Sequence, residues 1–134
     1  GVTFAHNQDF PPLAFPDAYF SAIYGISIFT HMSEEQHFAW FKELHRVLKP
    51  GGILYQSFQC EAFTIKLSVD ECEQFRKGQL IVKSKTELGH RTYSAYQPAA
   101  FIEKISEGLE VLQKLDGQLV NGRPQQEIWL FRKK

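Results

Sequence analysis

His31, Asp9 and Gly25 are the residues whose types and places first invite chemistry. An imidazole near position 31 can take or give a proton at ordinary pH. It can equally support a loop by hydrogen bonding. Asp9 sits in a short polar stretch, Asn7-Gln8-Asp9, where a carboxylate can accept from a ligand or simply close a turn. Gly25 interrupts the run 20–28, whose residues are nearly all apolar or small. A glycine inside a strand marks close approach of another group to the backbone, or else a bulge. The five histidines are His6, His31, His37, His45 and His90. Neither the step from 31 to 37 nor that from 37 to 45 puts two rings on one helical face, so no metal centre is expected. Cys60 and Cys72 are outside any C-x-x-C pattern, and no His–Asn pattern marks Cys60 as a nucleophile.

Those residues need elements to hold them. Residues 2–6 have the composition of a short strand. Residues 7–18 contain three prolines and must be loop. The run 20–28 suits a strand covered on both faces, as in a parallel sheet. Ser33 and Gln36 form a capping box, with Glu34 and Glu35 at the positive end of the helix dipole. Trp40, Phe41, Leu44, Val47 and Leu48 recur at steps of three and four, which gives one buried stripe. Pro50-Gly51-Gly52 is the stop signal, and 53–58 is the next strand. Strand, helix, strand over 20–58 is a crossover unit of a parallel α/β sheet. Ser68 and Glu71 form a second capping box. Residues 80–82 make a short strand, and Pro98 opens a helix that ends at Gly108. Strands over 109–115 and 127–131 are joined without a helix, through Asn121-Gly122, and should be antiparallel.

The chain has 134 residues, enough for one domain, and no repeat or linker divides it. Lys plus Arg and Asp plus Glu both number 15, so no general electrostatic grip on nucleic acid or anionic lipid is expected. Arg132-Lys133-Lys134 reads as a solvated end. No apolar run is long enough to span a bilayer. With two cysteines and no signal peptide, a cytoplasmic location is expected.

The string Pro12 to Gly52, PLAFPDAYFSAIYGISIFTHMSEEQHFAWFKELHRVLKPGG, resembles class I S-adenosylmethionine-dependent methyltransferases, of the type 11/12 kind. It is similar to their stretch from the loop before the fourth strand to the turn before the fifth, with an LPF-PD-like start and RVLKPGG at its close. Ser21 stands where the family usually has Asp. The likeness is strong over 12–52 and weaker after 60. It implies the fold: the C-terminal part of a Rossmann-like methyltransferase sheet, from about the third strand onward, ending in an antiparallel strand pair. The family's glycine loop and the acid that holds the ribose cannot be placed. The resemblance therefore implies that residues 1–134 are one incomplete domain lacking its glycine-loop half.

It also implies S-adenosylmethionine as cofactor, S-adenosylhomocysteine as product, and a small-molecule methyl acceptor. Ligands of open α/β sheets lie beyond the carboxyl ends of strands. By resemblance, Asp9 or Asn7 would accept from the adenine amino group while Phe10 packs on the ring. Backbone at Gly25, Ile26 and Ser27 would approach the methionine part. His31 would take the acceptor's proton, and Tyr93 and Tyr96 would line the acceptor pocket, although core packing is the other reading of both tyrosines. An uncovered sheet edge or face should drive homodimer formation. A different class of function stays open: a non-catalytic relative that serves as a binding or dimerisation module.

Overall fold

A computed structural model describes residues 1–83 and 93–134; His90 lies outside the described residues. The crossover unit is present. β1 (Phe20–Gly25) runs parallel to β2 (Leu48–Phe58), and α1 (Glu34–Val47) links them. The Ser33–Gln36 capping box is complete in both directions. α2 (Val69–Arg76) starts with the expected Ser68–Glu71 box. A short ribbon pairs β3 (Ile81–Lys83) with β4 (Ser94–Tyr96), and α3 (Ala99–Ile105) follows Pro98.

β5 (Leu109–Leu115) and β8 (Glu127–Lys133) are antiparallel, as their short connection requires. Between them β6 (Leu119–Val120) and β7 (Arg123–Pro124) form a tight hairpin. Asn121 and Gly122 supply its two positive φ angles, 51° and 73°, the geometry that a two-residue hairpin favours. The main sheet has the order β1-β2-β8-β5. β8 inserts beside β2 with Phe58 opposite Glu127 and Leu54 opposite Phe131.

One face of this sheet carries the core. Trp40, Phe41 and Leu44 of α1 and Phe101, Ile102 and Ile105 of α3 pack on Leu54, Phe58, Trp129 and Phe131. The period of the α1 stripe thus matches its burial. A smaller core joins Phe63, Phe75, Ile81 and Tyr96.

Three expectations need correction. Residues 2–6 are not a strand: no strand is assigned there, and Val2 and Phe4 are 80% and 91% exposed. A strand composition becomes a strand only when its backbone groups find a partner, and β1 pairs with β2 alone. The run 20–28 stops at Gly25 because Ser27 turns to φ 58°. It is covered on one face only, with Tyr24 78% exposed on the other. Finally, α1 ends at Val47, ahead of Pro50-Gly51-Gly52, and those residues lie within β2. Proline disfavours a helical conformation in the residue before it, so the chain turns extended early.

Candidate functional site

α1 holds the 9–17 segment as a strap along its length, with Asp9 at its first turns and Asp17 at its last. The Gln36 amide nitrogen and the Trp40 indole nitrogen both donate to the Asp9 carbonyl, at 3.0 and 2.9 Å. The Leu13 N–H donates to Glu43 Oε1 at 2.7 Å. Arg46 donates to the Phe15 carbonyl at 2.9 Å and to Asp17 Oδ1 at 2.7 Å. It also forks onto both Glu43 oxygens, at 2.9 and 2.6 Å. The hydrogen bond from Arg46 is the main reason the Glu43 carboxyl titrates below its ordinary range. The Pro16-Asp17 and Arg46-Val47 ends of the family-like string are therefore one structural clamp.

Below the strap lie two adjoining cavities. The outer one, ≈ 270 Å³, is lined by Asn7, Gln8, Asp9, Ser27, His31 and Gln36 together with apolar side chains. The inner one, ≈ 190 Å³, reaches Ile23, Gly25, Trp40, Leu44 and Gln56. Asn7, Ile28, Met32 and Trp40 border both. The cleft thus has a polar mouth and an apolar floor, the usual make-up of a small-molecule site.

His31 sits at the mouth. Its Nδ1 is 3.0 Å from the Tyr93 carbonyl, which can only accept. Nδ1 must carry the proton, and Nε2 keeps its lone pair when the ring is neutral. The loop-supporting and proton-accepting roles weighed for His31 are therefore compatible, one on each ring nitrogen.

Ser27 is held by a closed set of hydrogen bonds. Its N–H donates to Ser57 Oγ at 2.8 Å, Ser57 Oγ donates to Gln126 Oε1 at 2.6 Å, and Gln126 Nε2 donates to Ser27 Oγ at 2.9 Å. Thr30 Oγ1 donates to the Ser27 carbonyl at 3.2 Å. This ring shapes the turn after β1, and its polar groups are already used. Gly25 has a physical reason of its own: a Cβ there would overlap the Gln56 amide on the neighbouring strand. Gln56 is buried, and its Oε1 has no partner among the described residues.

The structure brings Asn7, Asp9, Gly25, Ser27 and His31 to this cleft. Ile26 lies between Gly25 and Ser27 with its side chain 60% exposed, and Phe10 is half-buried next to Asp9. Tyr93 reaches the region through its carbonyl, and burial raises its phenol pKa. Tyr96 is elsewhere, in the smaller core with Phe63. Sequence reasoning passed over Trp40, Gln36, Glu43, Arg46, Gln56 and Gln126. The 40–48 spacing marks Trp40 only as core stripe, and nothing in the sequence joins Gln126 to Ser27. Among the described residues no group of three His, Cys, Asp or Glu converges as a metal site, and no helix is long and apolar enough to cross a membrane.

The cleft matches part of S-adenosylmethionine in size and polarity. Its volumes accommodate one end of such a molecule. The polar mouth offers Asn7 and Asp9 as acceptors, and among the described residues the outer edge of β1 has no partner strand at Gly25. The residues fit part of the cofactor.

Comparisons with known proteins agree with this architecture. Residues 1–52 match the model of a methyltransferase domain family, the same region that carries the resemblance. A SAM-dependent methyltransferase from Methanosarcina mazei superimposes with TM-score 0.67 at 17% identity, covering 96% of this chain and 65% of that one. An S-adenosylmethionine-dependent methyltransferase from Mesorhizobium loti gives 0.68 at 11% identity, over 99% and 70%. A putative one from Listeria monocytogenes gives 0.66 at 11%, over 91% and 65%. No curated protein matches by sequence. The chain thus has the fold of class I S-adenosylmethionine-dependent methyltransferases, and it spans 65% of the length of the Methanosarcina protein.

Proposed function

We propose that this chain is the C-terminal part of a domain that transfers a methyl group from S-adenosylmethionine to a small molecule. The observation that carries this reading is the strap: α1 fixes the Asp9 carbonyl and so sets Asn7 to Phe10 over the carboxyl end of β1. That is where open α/β sheets bind ligands. The shares of the neighbours' lengths left uncovered support a further segment that supplies the glycine loop and the ribose-binding acid.

Asp9 or Asn7 accepts from the adenine amino group and Phe10 covers the ring. Backbone at Gly25 and Ile26 lies along the methionine part, while Ser27 keeps the turn in shape. Bound there, S-adenosylmethionine supplies a methyl group already activated by its sulfonium. The protein's task is alignment and exclusion of water. His31 Nε2 takes the acceptor's proton, with the Tyr93 carbonyl fixing the tautomer. Tyr93 borders the acceptor, whereas Tyr96 acts through packing. The unpaired edge of β1 is also the surface through which two copies would pair when no further segment covers it.

Calorimetric titration with S-adenosylhomocysteine tests this, first on this chain and then with the preceding segment of its protein joined. Binding only in the second case supports the reading. No binding by either folded sample removes it, and the site roles fall with it.

A further inference from the structure

A second cavity, ≈ 700 Å³, opens at the carboxyl end of β2 on the β8 side. Its size is that of a small-molecule site. Glu127 lies in its wall, at the start of β8 and opposite Phe58, the last residue of β2. The Glu127 side chain is only 7% exposed. Oε1 accepts from the Trp129 indole at 2.8 Å, and no ion pair to Glu127 forms among the described residues. One cation, Lys114, shares the cavity wall with three carboxylates, Glu61, Asp116 and Glu127; it attracts Glu127 from a distance, while its Nζ stands 4.9 Å over the Trp129 ring.

A buried carboxylate without a cation is costly, and proteins normally pair one or give it a ligand. The surroundings reinforce the demand. Glu61 and Asp116 add negative charge to the lining, and among the described residues Glu61 is met only by Arg76 at 3.8 Å. The Cys60 thiol beside Glu127 stays protonated, because burial pushes its pKa up and the carboxylate adds to that. It offers no positive charge. Burial likewise raises the Glu127 pKa, against the lowering effects of the Trp129 indole and Lys114, with Asp116 and Glu61 adding to the rise. Phe75, Ala62 and Leu119 give the cavity apolar walls.

We propose that this cavity binds a monocationic amine, with its ammonium on Glu127 and its apolar body against Phe75 and Leu119. A divalent metal is a poor occupant, since one buried carboxylate and no converging partners give too few ligands. A neutral ligand would leave the carboxylate as it is.

The test uses 2-phenylethylammonium against its neutral analogue 2-phenylethanol, titrated into this chain and followed by amide NMR shifts. No S-adenosyl compound is present, so the outcome is separate from that of the cofactor reading. The amine should bind at least tenfold more tightly than the alcohol, with saturable shifts at residues 60–62 and 114–119. Glu127→Gln keeps an acceptor for the Trp129 indole and should abolish the preference. Ala62→Leu narrows the cavity and should weaken the amine severalfold with Glu127 intact. Equal binding of the two probes, an unchanged preference in Glu127→Gln, or no saturable shift at those residues would overturn the proposal.

Discussion

Acid should unfold this protein through His37, and the size of the effect follows from its surroundings. The ring is fully buried against Phe29 and Phe101. Nδ1 donates to the Ser33 carbonyl at 2.7 Å, and Nε2 accepts from the Gln97 amide nitrogen at 3.0 Å. Gln97 is itself committed, since it donates to the Phe29 carbonyl and accepts from the Gln59 N–H. A proton on Nε2 would face a donor. Burial, opposed by the Ser33 bond, lowers the pKa from 6.5 to about 4. Above pH 6.5 folded and unfolded chains both hold a neutral ring, and the full stability is present. Below it the unfolded chain binds the proton first, so stability falls by about 1.4 kcal/mol per pH unit until the folded ring also charges near pH 4. By pH 4.5 the loss is about 2.5 kcal/mol. Urea unfolding followed by tryptophan fluorescence, from pH 7.5 to 4.5, measures it on the wild type and on His37→Gln. Carboxylates and His45 titrate in both proteins, so the difference between the two curves isolates His37. The wild type should lose about 2.5 kcal/mol relative to the variant across that range. Parallel curves would refute the reasoning.

Trp40→Phe keeps the packing but removes one donor from the Asp9 carbonyl; it should cost about 1 kcal/mol in urea unfolding and loosen residues 7–10 in hydrogen exchange. Gly25→Ala should destabilise by about 1–3 kcal/mol, the usual range for overpacking. Adding Gln56→Ala should restore part of that loss, and a purely additive double mutant would deny the contact. In an active, complete domain, His31→Ala should lower kcat by roughly 10²–10⁴, the range for a general base. Cofactor affinity should stay close to wild type, and an equal loss of cofactor binding would assign His31 to support alone.

Much of the fold was legible because local chemistry and burial agree along the chain. Both serine caps, the 40–48 stripe and the Asn121-Gly122 turn need only a few neighbouring residues to declare themselves. What was not legible depends on distant partners. Residues 2–6 have the right composition for a strand, yet among the described residues no strand pairs with them. Gln56, Ser57 and Gln126 look like ordinary polar positions, and only the register of β2 against β8 gives them their partners. For the candidate site, the sequence pointed to the turn from Gly25 to His31, whose residues line the cleft. It could not reveal that Gly25 makes room for Gln56, or that Asp9 is held by its carbonyl.

The ring that fixes Ser27 has a consequence for the order of assembly. Its third member, Gln126, comes 99 residues after the turn it secures. β1, α1 and β2 can form from a continuous stretch of 39 residues, 20–58. The turn at Ser27 cannot close until β8 has slid in beside β2, and contacts this distant in sequence are slow to form. During synthesis the cleft therefore stays unfinished until Gln126 and β8 have emerged from the ribosome, and β8 acts as the latch on β1.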